Sequence, residues 1–452
     1  MNILILNGSP SGQDSITLFT ALYIQKHFPA HRFDVLHVGQ RIKAFEKDFA
    51  PCLEAVQAAD LLLFCYPVYT FLAPSQLHRF IELLKPHQAL LEGKWASQVT
   101  TSKHFYDVTA HRYIRDNCAD LGLRFVEGLS ADMDDLLTDK GRREALSFFR
   151  CVEESVRQGW AAPAPAWPVS FTPVKAALPE TPAPKGEGTV ALVTDLPARP
   201  AEDDALEASL RAMIARFTAR APQRVEVVNL RDFPFAGGCL GCFRCAADGQ
   251  CVYRDGFDAL LRDRIQTADA TVYAFAVRDH SMGSRFKMYD DRQFCNGHRT
   301  VTMGKPVAYL VSGPLAAEEN LRLLLESRAQ VGGNFLAGVA TDEADPDTAI
   351  DTLAARLTWA LQERYLPPKN FYGVGGMKIF RDLIYQMRGL MRADHRFYKA
   401  HGFYRDMPHR HQGRIAAMYL VGAMMNHPGL RKKAGGRLTE GMVGPYRKAL
   451  EK

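Results

Sequence analysis

Short apolar runs alternate with longer stretches of mixed polarity along most of this chain. The first opens it: "ILIL" (residues 3–6) precedes a Gly/Ser/Pro turn and a helical stretch. "FDVLHV" (33–38), "QAADLLLFCYPVY" (57–69) and "SQVTTS" (97–102) follow, with a helix through "LHRFIELL" between the last two. The same order returns in "VALVTDL" (190–196), "VEVVNL" (225–230), "QTADATVYAFAVR" (266–278) and "PVAYLVSG" (306–313). Strands this continuously apolar are covered on both faces, and their alternation with helices predicts parallel sheets. The third strands align with a constant offset of 209, from Asp60/Asp269 through Leu83/Arg292. A doubly wound α/β domain duplicated in tandem is the simplest account.

Between the halves, residues 159–188 are rich in Pro and Ala, which predicts a stiff, extended linker and not a packed element. The expected organisation is therefore 1–158, a linker at 159–188, 189–365, and a mostly helical tail at 366–452. That tail holds 17 Lys and Arg against 5 Asp and Glu, so the net charge of +6 conceals an acidic remainder. Basic helices interleaved with aromatics suit docking to a protein or a membrane surface, or form a solvated face. No nucleic-acid partner is expected. The longest apolar run, "IAAMYLVGAMM" (415–425), has 11 residues, whereas a bilayer takes about 20. The start of the chain reads as a strand and not a signal peptide, and an odd total of nine cysteines argues against a disulfide framework. A soluble, cytoplasmic protein is expected.

Chemistry concentrates at two places. In the first half, "NGSPSGQDSIT" (7–17) puts a sharp turn and the hydroxyls of Ser9, Ser15 and Thr17 beside the free amides of a helix start, an anion site matched to a phosphate. "YPVYTFLAPSQ" (66–76) and "TTSKHF" (100–105) leave the same end of the sheet, where ligands of such folds bind. Together the three loops suit a phosphorylated cofactor with a flat ring.

In the second half the equivalent first loop carries Glu202, Asp203 and Asp204, which would repel a phosphate, and Pro67-Val68-Tyr69 has become Ala276-Val277-Arg278. This half instead holds "GGCLGCFRCAADGQC" (237–251), with Cys239, Cys242, Cys245 and Cys251 spaced C-x2-C-x2-C-x5-C. Structural zinc usually takes two knuckles a dozen or more residues apart. Three successive x2 spacings instead wrap one loop around a larger object, as ferredoxin-type runs do around a cubane. A 4Fe–4S cluster, zinc, and unligated thiols all stay open. Cys65, Cys118, Cys151 and Cys295 read as core residues. His395, His401, His409 and His411 read as solvated.

"GSPSGQDSIT" resembles the G-S-x-R-x-x-S-x-T phosphate loop of the flavodoxin-like NAD(P)H-dependent FMN reductases and the related iron–sulfur flavoproteins, and "YPVY" resembles their P-V-Y loop. The resemblance covers both halves and leaves the tail unexplained. It implies two flavodoxin-like domains and an FMN bound by Ser9, Pro10, Ser15, Ile16 and Thr17 at the phosphate. Pro67, Val68, Tyr69, Thr70 and Phe71 would lie along the ring, with Thr101, Ser102 and His104 on the third loop. Where the family often has a basic residue this chain has Ser11 or Gly12, which weakens any inference of NADPH preference. The iron–sulfur flavoproteins carry a compact cysteine motif at this position, although many FMN reductases keep a similar loop not known to hold a cluster.

The expected function is flavin-dependent electron transfer between FMN in one half and a cluster in the other, to or from a small acceptor or a carrier protein. NAD(P)H or reduced ferredoxin would be the donor, and Tyr69 and His104 are the candidates for proton supply. The halves would form a pseudo-dimer within one chain, with or without further homodimerisation. The alternatives are an NAD(P)H-dependent FMN, quinone or azo reductase with structural cysteines, and a non-catalytic redox carrier or sensor.

Overall fold

The computed structural model describes residues 1–165, 170–199 and 204–425. Its first half builds one parallel sheet from β1 (Asn2–Asn7), β2 (Arg32–Leu36), β3 (Leu61–Pro67), β4 (Trp95–Ser102), β5 (Arg124–Phe125) and β6 (Leu129–Asp132). The order is β2-β1-β3-β4-β5, with β6 also on β4. Helices α1 (Ile16–His27), α2 (Val38–Phe45), α3 (Ala50–Ala58), α4 (Ser75–Leu84), α5 (Asp107–Asp120) and α6 (Asp139–Gln158) cover it. The second half repeats the plan with β7 (Thr189–Thr194), β8 (Arg224–Asn229), β9 (Ala270–Ala276), β10 (Pro306–Ser312) and β11 (Phe335–Thr341), ordered β8-β7-β9-β10-β11. Its helices are α7 (Ala205–Arg220), α8 (Arg244–Asp248), α9 (Phe257–Leu260), α10 (Gly283–Arg292), α11 (Glu319–Gly332) and α12 (Pro346–Gln362). Both sheets are thus flavodoxin-like, and β3 and β9, central in each, are almost wholly buried, as their unbroken apolar runs require. The last strands, β5, β6 and β11, have no counterpart among the apolar runs picked out above. β5 and β6 are short, and β11 (FLAGVAT) is only partly buried, so its pattern is diluted.

The linker is extended but not free of the core. Ala176 is buried, Val174 N–H donates to Asp342 O (2.8 Å) and Ala183 N–H donates to Ala219 O (2.8 Å). The expectation of an unpacked segment fails here because proline-rich chain still offers backbone groups and methyls to a neighbouring surface.

The two halves meet through α4 and α10, which occupy equivalent positions. Ser75 N–H, at the start of α4, donates to Asp291 of α10 (2.8 Å). Ser284 N–H and Oγ–H, at the start of α10, donate to Glu82 of α4 (both 2.6 Å). Ser75/Ser284 and Glu82/Asp291 are both 209 apart, so each helix is capped by its partner's carboxylate under an internal two-fold relation. The turns after β3 and β9 are equally matched. Thr70 and Phe71 have φ of 44° and 70°, and their equivalents Asp279 and His280 have 51° and 60°. Lys287 and Asp291, both fully buried, grip the first turn: Lys287 Nζ donates to Thr70 Oγ1 (2.7 Å), Tyr69 O (3.1 Å) and Asp291. Residues of the first half grip the second turn. Lys85 pairs with Asp279 (2.6 Å), Asn117 donates to Asp279 O (3.1 Å), and His280 lies between Asp120 and Glu318 (2.9 Å each).

The His280 contact makes the junction between the halves pH-dependent. Burial opposes its charge, but the two carboxylates win and lift it from 6.5 to about 9. A folded value above the unfolded one adds stability that is complete below about pH 6.5 and lost as pH rises through 9. The unfolding free energy from denaturant titration is therefore expected to fall between pH 6.5 and 9.5, by up to about 3 kcal/mol. His280→Asn is expected to flatten that slope, and an unchanged slope in the variant would refute the assignment.

α13 (Phe371–Gln386) follows the second sheet and packs on α11. The chain then forms a second compact unit from His395, taking in most of α14 (Arg392–Ala400) and α15 (Gln412–Met425). Within it Tyr398 is buried, His395 bonds the Tyr404 hydroxyl (2.9 Å), and Met418, Tyr419 and Leu420 face outward. Among the described residues no helix is long and apolar enough to cross a membrane.

Candidate active site

β1 ends at Asn7, whose Nδ2–H donates to Gly12 O (2.8 Å) and so closes the first loop. Ser9 is buried and its Oγ accepts from Ser11 N–H (3.3 Å). Ser15 caps α1, its Oγ accepting from Leu18 N–H (3.4 Å), and Thr17 meets Thr101 of the third loop (2.6 Å). Helix amides and hydroxyls thus converge at the carboxyl edge of the sheet. They front one cavity of about 600 Å³ lined by Ser9, Ser15, Ile16, Thr17, Pro67 to Phe71, Thr101 and Ser102.

Two expected residues lie elsewhere. Pro10 is buried and does not line the cavity. His104 takes φ 54°, its N–H held by Ser102 Oγ (2.8 Å), and this turn throws the half-exposed ring towards Asp107 and Ser130 (3.2 Å each). Lys103 lines the cavity instead. Asp132 (2.8 Å) and Asp134 (3.0 Å) hold it charged, lifting it above the ordinary lysine value against the opposing cost of burial. The first loop carries no cation, and only the fold of the third loop brings this one to the cavity.

The same cavity is lined by all four motif cysteines. Gly241, at φ +63°, lies so close to Tyr69 that a Cβ there would overlap the phenol oxygen. The flavin-type loop and the cysteine loop are therefore in direct contact. Cys239 Sγ accepts from Gly241 N–H (3.4 Å), and Gln76 donates to Cys239 O (3.2 Å). Burial raises the Cys239 thiol strongly and lifts Cys245 to about 11. Tyr69, partly buried beside these sulfurs, is raised well above 10 by that burial and stays a neutral hydrogen-bonding group. Cys295, expected as plain core, is buried but also reaches this cavity near Cys251 and Cys245, because the end of α10 turns back under the loop. Cys65 and Cys118 are core residues, whereas Cys151 is exposed on α6. Among the described residues no group of three or more His, Cys, Asp or Glu is arranged to hold a metal ion.

Gly241→Ala is expected to lower stability by about 2 kcal/mol through left-handed strain and the clash with Tyr69. Equilibrium unfolding checks it, and a wild-type midpoint would show that the loops do not need this approach.

In the second half the phosphate position is filled by charge. Asp204 caps α7 by accepting from Glu207 N–H (3.0 Å), just as Ser15 caps α1. Arg278, the equivalent of Tyr69, pairs with Asp204 and lies 3.8 Å from Glu207. Burial lifts the nearby Asp195 carboxyl to about 6. Glu202 and Asp203 lie outside the described residues.

Comparison with known proteins gives the family. The family described as NADPH-dependent FMN reductase matches residues 1–131 and 206–342, more than half of the chain and one stretch in each half. The chain belongs to this family, as a tandem duplication, which makes it a member of a family of flavin-dependent oxidoreductases. An iron–sulfur flavoprotein of Archaeoglobus fulgidus is 28% identical over 174 residues, covering 36% of this chain and 79% of that protein. Similar solved structures include an NADH:FMN oxidoreductase (23% identity, 33% of this chain, 89% of that one, TM-score 0.29). Another is an FMN-dependent NADH-azoreductase of Bacillus anthracis (13% identity, 35% and 98%, TM-score 0.27).

Proposed function

We propose that this chain binds one FMN in its first half and a 4Fe–4S cluster in the cysteine loop of its second half, and moves electrons between them. One observation carries the reading: a single cavity is lined by the three flavin-type loops and by all four motif cysteines, with Tyr69 against Gly241 between them.

The first half fits FMN. Ser9, Ser15, Thr17 and the start of α1 form an anion cradle, Lys103 adds a charge, and Pro67 to Phe71 offer an apolar ring wall. The second half's equivalent cradle is acidic and does not fit a phosphate. The cysteine loop offers the donors a cluster needs: all four motif cysteines line one cavity, and the Gly241 amide hydrogen points at the Cys239 sulfur. Such N–H···S contacts favour sulfur in its charged, ligating form. Bound FMN supplies two-electron and one-electron chemistry, and a cluster one-electron chemistry. The protein's part is to hold both groups near Tyr69, exclude water with the aromatic walls, and keep Tyr69 protonated.

Anaerobic reconstitution followed by counting FMN, iron and sulfide per chain tests this. One FMN with four irons is expected, and two FMN or no iron would sink it. The competing reading, a reductase whose cysteines are structural, is favoured by the lack of an assembled metal set among the described residues. Rapid NAD(P)H oxidation by iron-free protein would support it, and reduction only by ferredoxin would count against it. The basic tail in our reading docks an electron carrier or a membrane surface.

A further inference from the structure

The cavity continues past the flavin-type loop into a ring of aromatic side chains. Successive ring centroids lie 6.3 Å apart for Tyr69–Phe294, 5.8 Å for Phe294–His298 and 5.0 Å for His298–Phe380. Phe380–Phe105 and Phe105–Phe71 are each 5.0 Å apart. All six rings line the cavity. Three come from the first half and two from the second, while Phe380 sits on α13, beyond the residues that the family matches.

α13 is seated closely. A Cβ on Gly376, one turn before Phe380, would overlap the Phe105 ring. Glycine in a helix costs stability, so its use here reflects the close approach. His298 is fixed as well: buried Asp394 accepts its backbone N–H and stands 3.0 Å from Nδ1, while Arg299 binds the same carboxylate (3.1 Å). Arg328, paired with Asp290 on the same cavity wall, lies over Phe71 at 5.5 Å.

We propose that α13 forms the acceptor-side wall of the site and that Phe380 determines which flat aromatic acceptors enter it. Aromatic walls at these separations take a planar ring by offset or edge contacts, and a non-planar or strongly hydrated molecule gains little from them. His298, held by Asp394, is the polar edge that a carbonyl-bearing ring would meet. The inference rests on the flavin reading above, since the acceptor is placed relative to the loop 67–71.

The test uses the full chain, loaded with FMN and oxidised, so that ligand binding is read without turnover. Titration with 2-methyl-1,4-naphthoquinone gives the wild-type Kd. Phe380→Ala is expected to weaken it about tenfold or more, as loss of a stacked ring would. Phe380→Trp, which narrows the chamber and keeps an aromatic wall should the alanine variant fold poorly, is expected to reject the naphthoquinone while keeping 1,4-benzoquinone within threefold. A Kd within twofold of wild type in both variants would overturn the proposal. So would loss of FMN in step with quinone binding, which would place Phe380 in the flavin pocket. FMN and iron counts decide the earlier reading separately, because quinone binding that depends on Phe380 survives a chain without iron.

Discussion

Ser15→Asp is expected to abolish FMN retention while leaving the fold as stable as before. The substitution copies the second half into the first, since Ser15 and Asp204 cap equivalent helices through the same i+3 bond. Aspartate is as good an N-cap as serine, so unfolding midpoints should agree within about 0.5 kcal/mol. The flavin phosphate, however, would meet a fixed negative charge. Two unit charges 4 Å apart at an effective dielectric near 20 repel by about 4 kcal/mol, and after screening a loss of 100-fold or more in affinity remains. Ser15→Asn, an equally good cap without charge, is expected to bind FMN within tenfold of wild type. Fluorescence titration of FMN against both variants checks this, and near-equal affinities would show that the phosphate lies elsewhere.

The largest expected effect on stability is at Asp291. Its carboxylate accepts from Ser75 N–H, Thr70 Oγ1–H and Lys287, and neither it nor Lys287 reaches solvent. Burial pushes the Asp291 carboxyl up while Lys287 pulls it back. Asp291→Ala leaves the buried Lys287 ammonium with only Asp290, 3.8 Å away and shared with Arg328, and α4 without its cap, a loss of about 3 kcal/mol. Adding Lys287→Met should recover part of it, because the double variant removes both members of the Lys287–Asp291 pair. Glu82→Ala at the symmetry-related cap is expected to cost less, since that carboxylate is partly solvated. Urea denaturation of the four proteins measures the series, and a single variant as stable as wild type would refute the buried-pair account.

How much of this was legible in the residues follows from what each feature depends on. The sheets were, because an unbroken apolar run such as "LLLFCYP" has few other homes. The duplication was, because one offset aligned residues that turned out to cap one another's helices. The Gly/Ser/Pro loop and the cysteine loop stood out as candidates because their polar groups sit in consecutive residues, and both line the one cavity. Lys103 displaced His104 through a backbone turn that residue types do not announce. Cys295 and Phe380 reached the cavity through long-range packing, and Phe380 carries no local signal separating it from any half-buried phenylalanine. "FCNGHRT" offered a hint in His298, but its partner Asp394 lies 96 residues further on.

The two-fold contact between α4 and α10 is made within one polypeptide, and the linker that joins the halves is itself tacked to the second. A flavin site walled by two separate subunits would open on dilution, since its second wall arrives by association. Here the second wall is present at a tethered concentration that dilution does not change. Joining also frees each half from serving both roles, because a substitution in one copy is no longer mirrored in the other. The acidic cap at Asp204 and the serine cap at Ser15 are the record of that freedom: one ancestral surface, two separate inheritances.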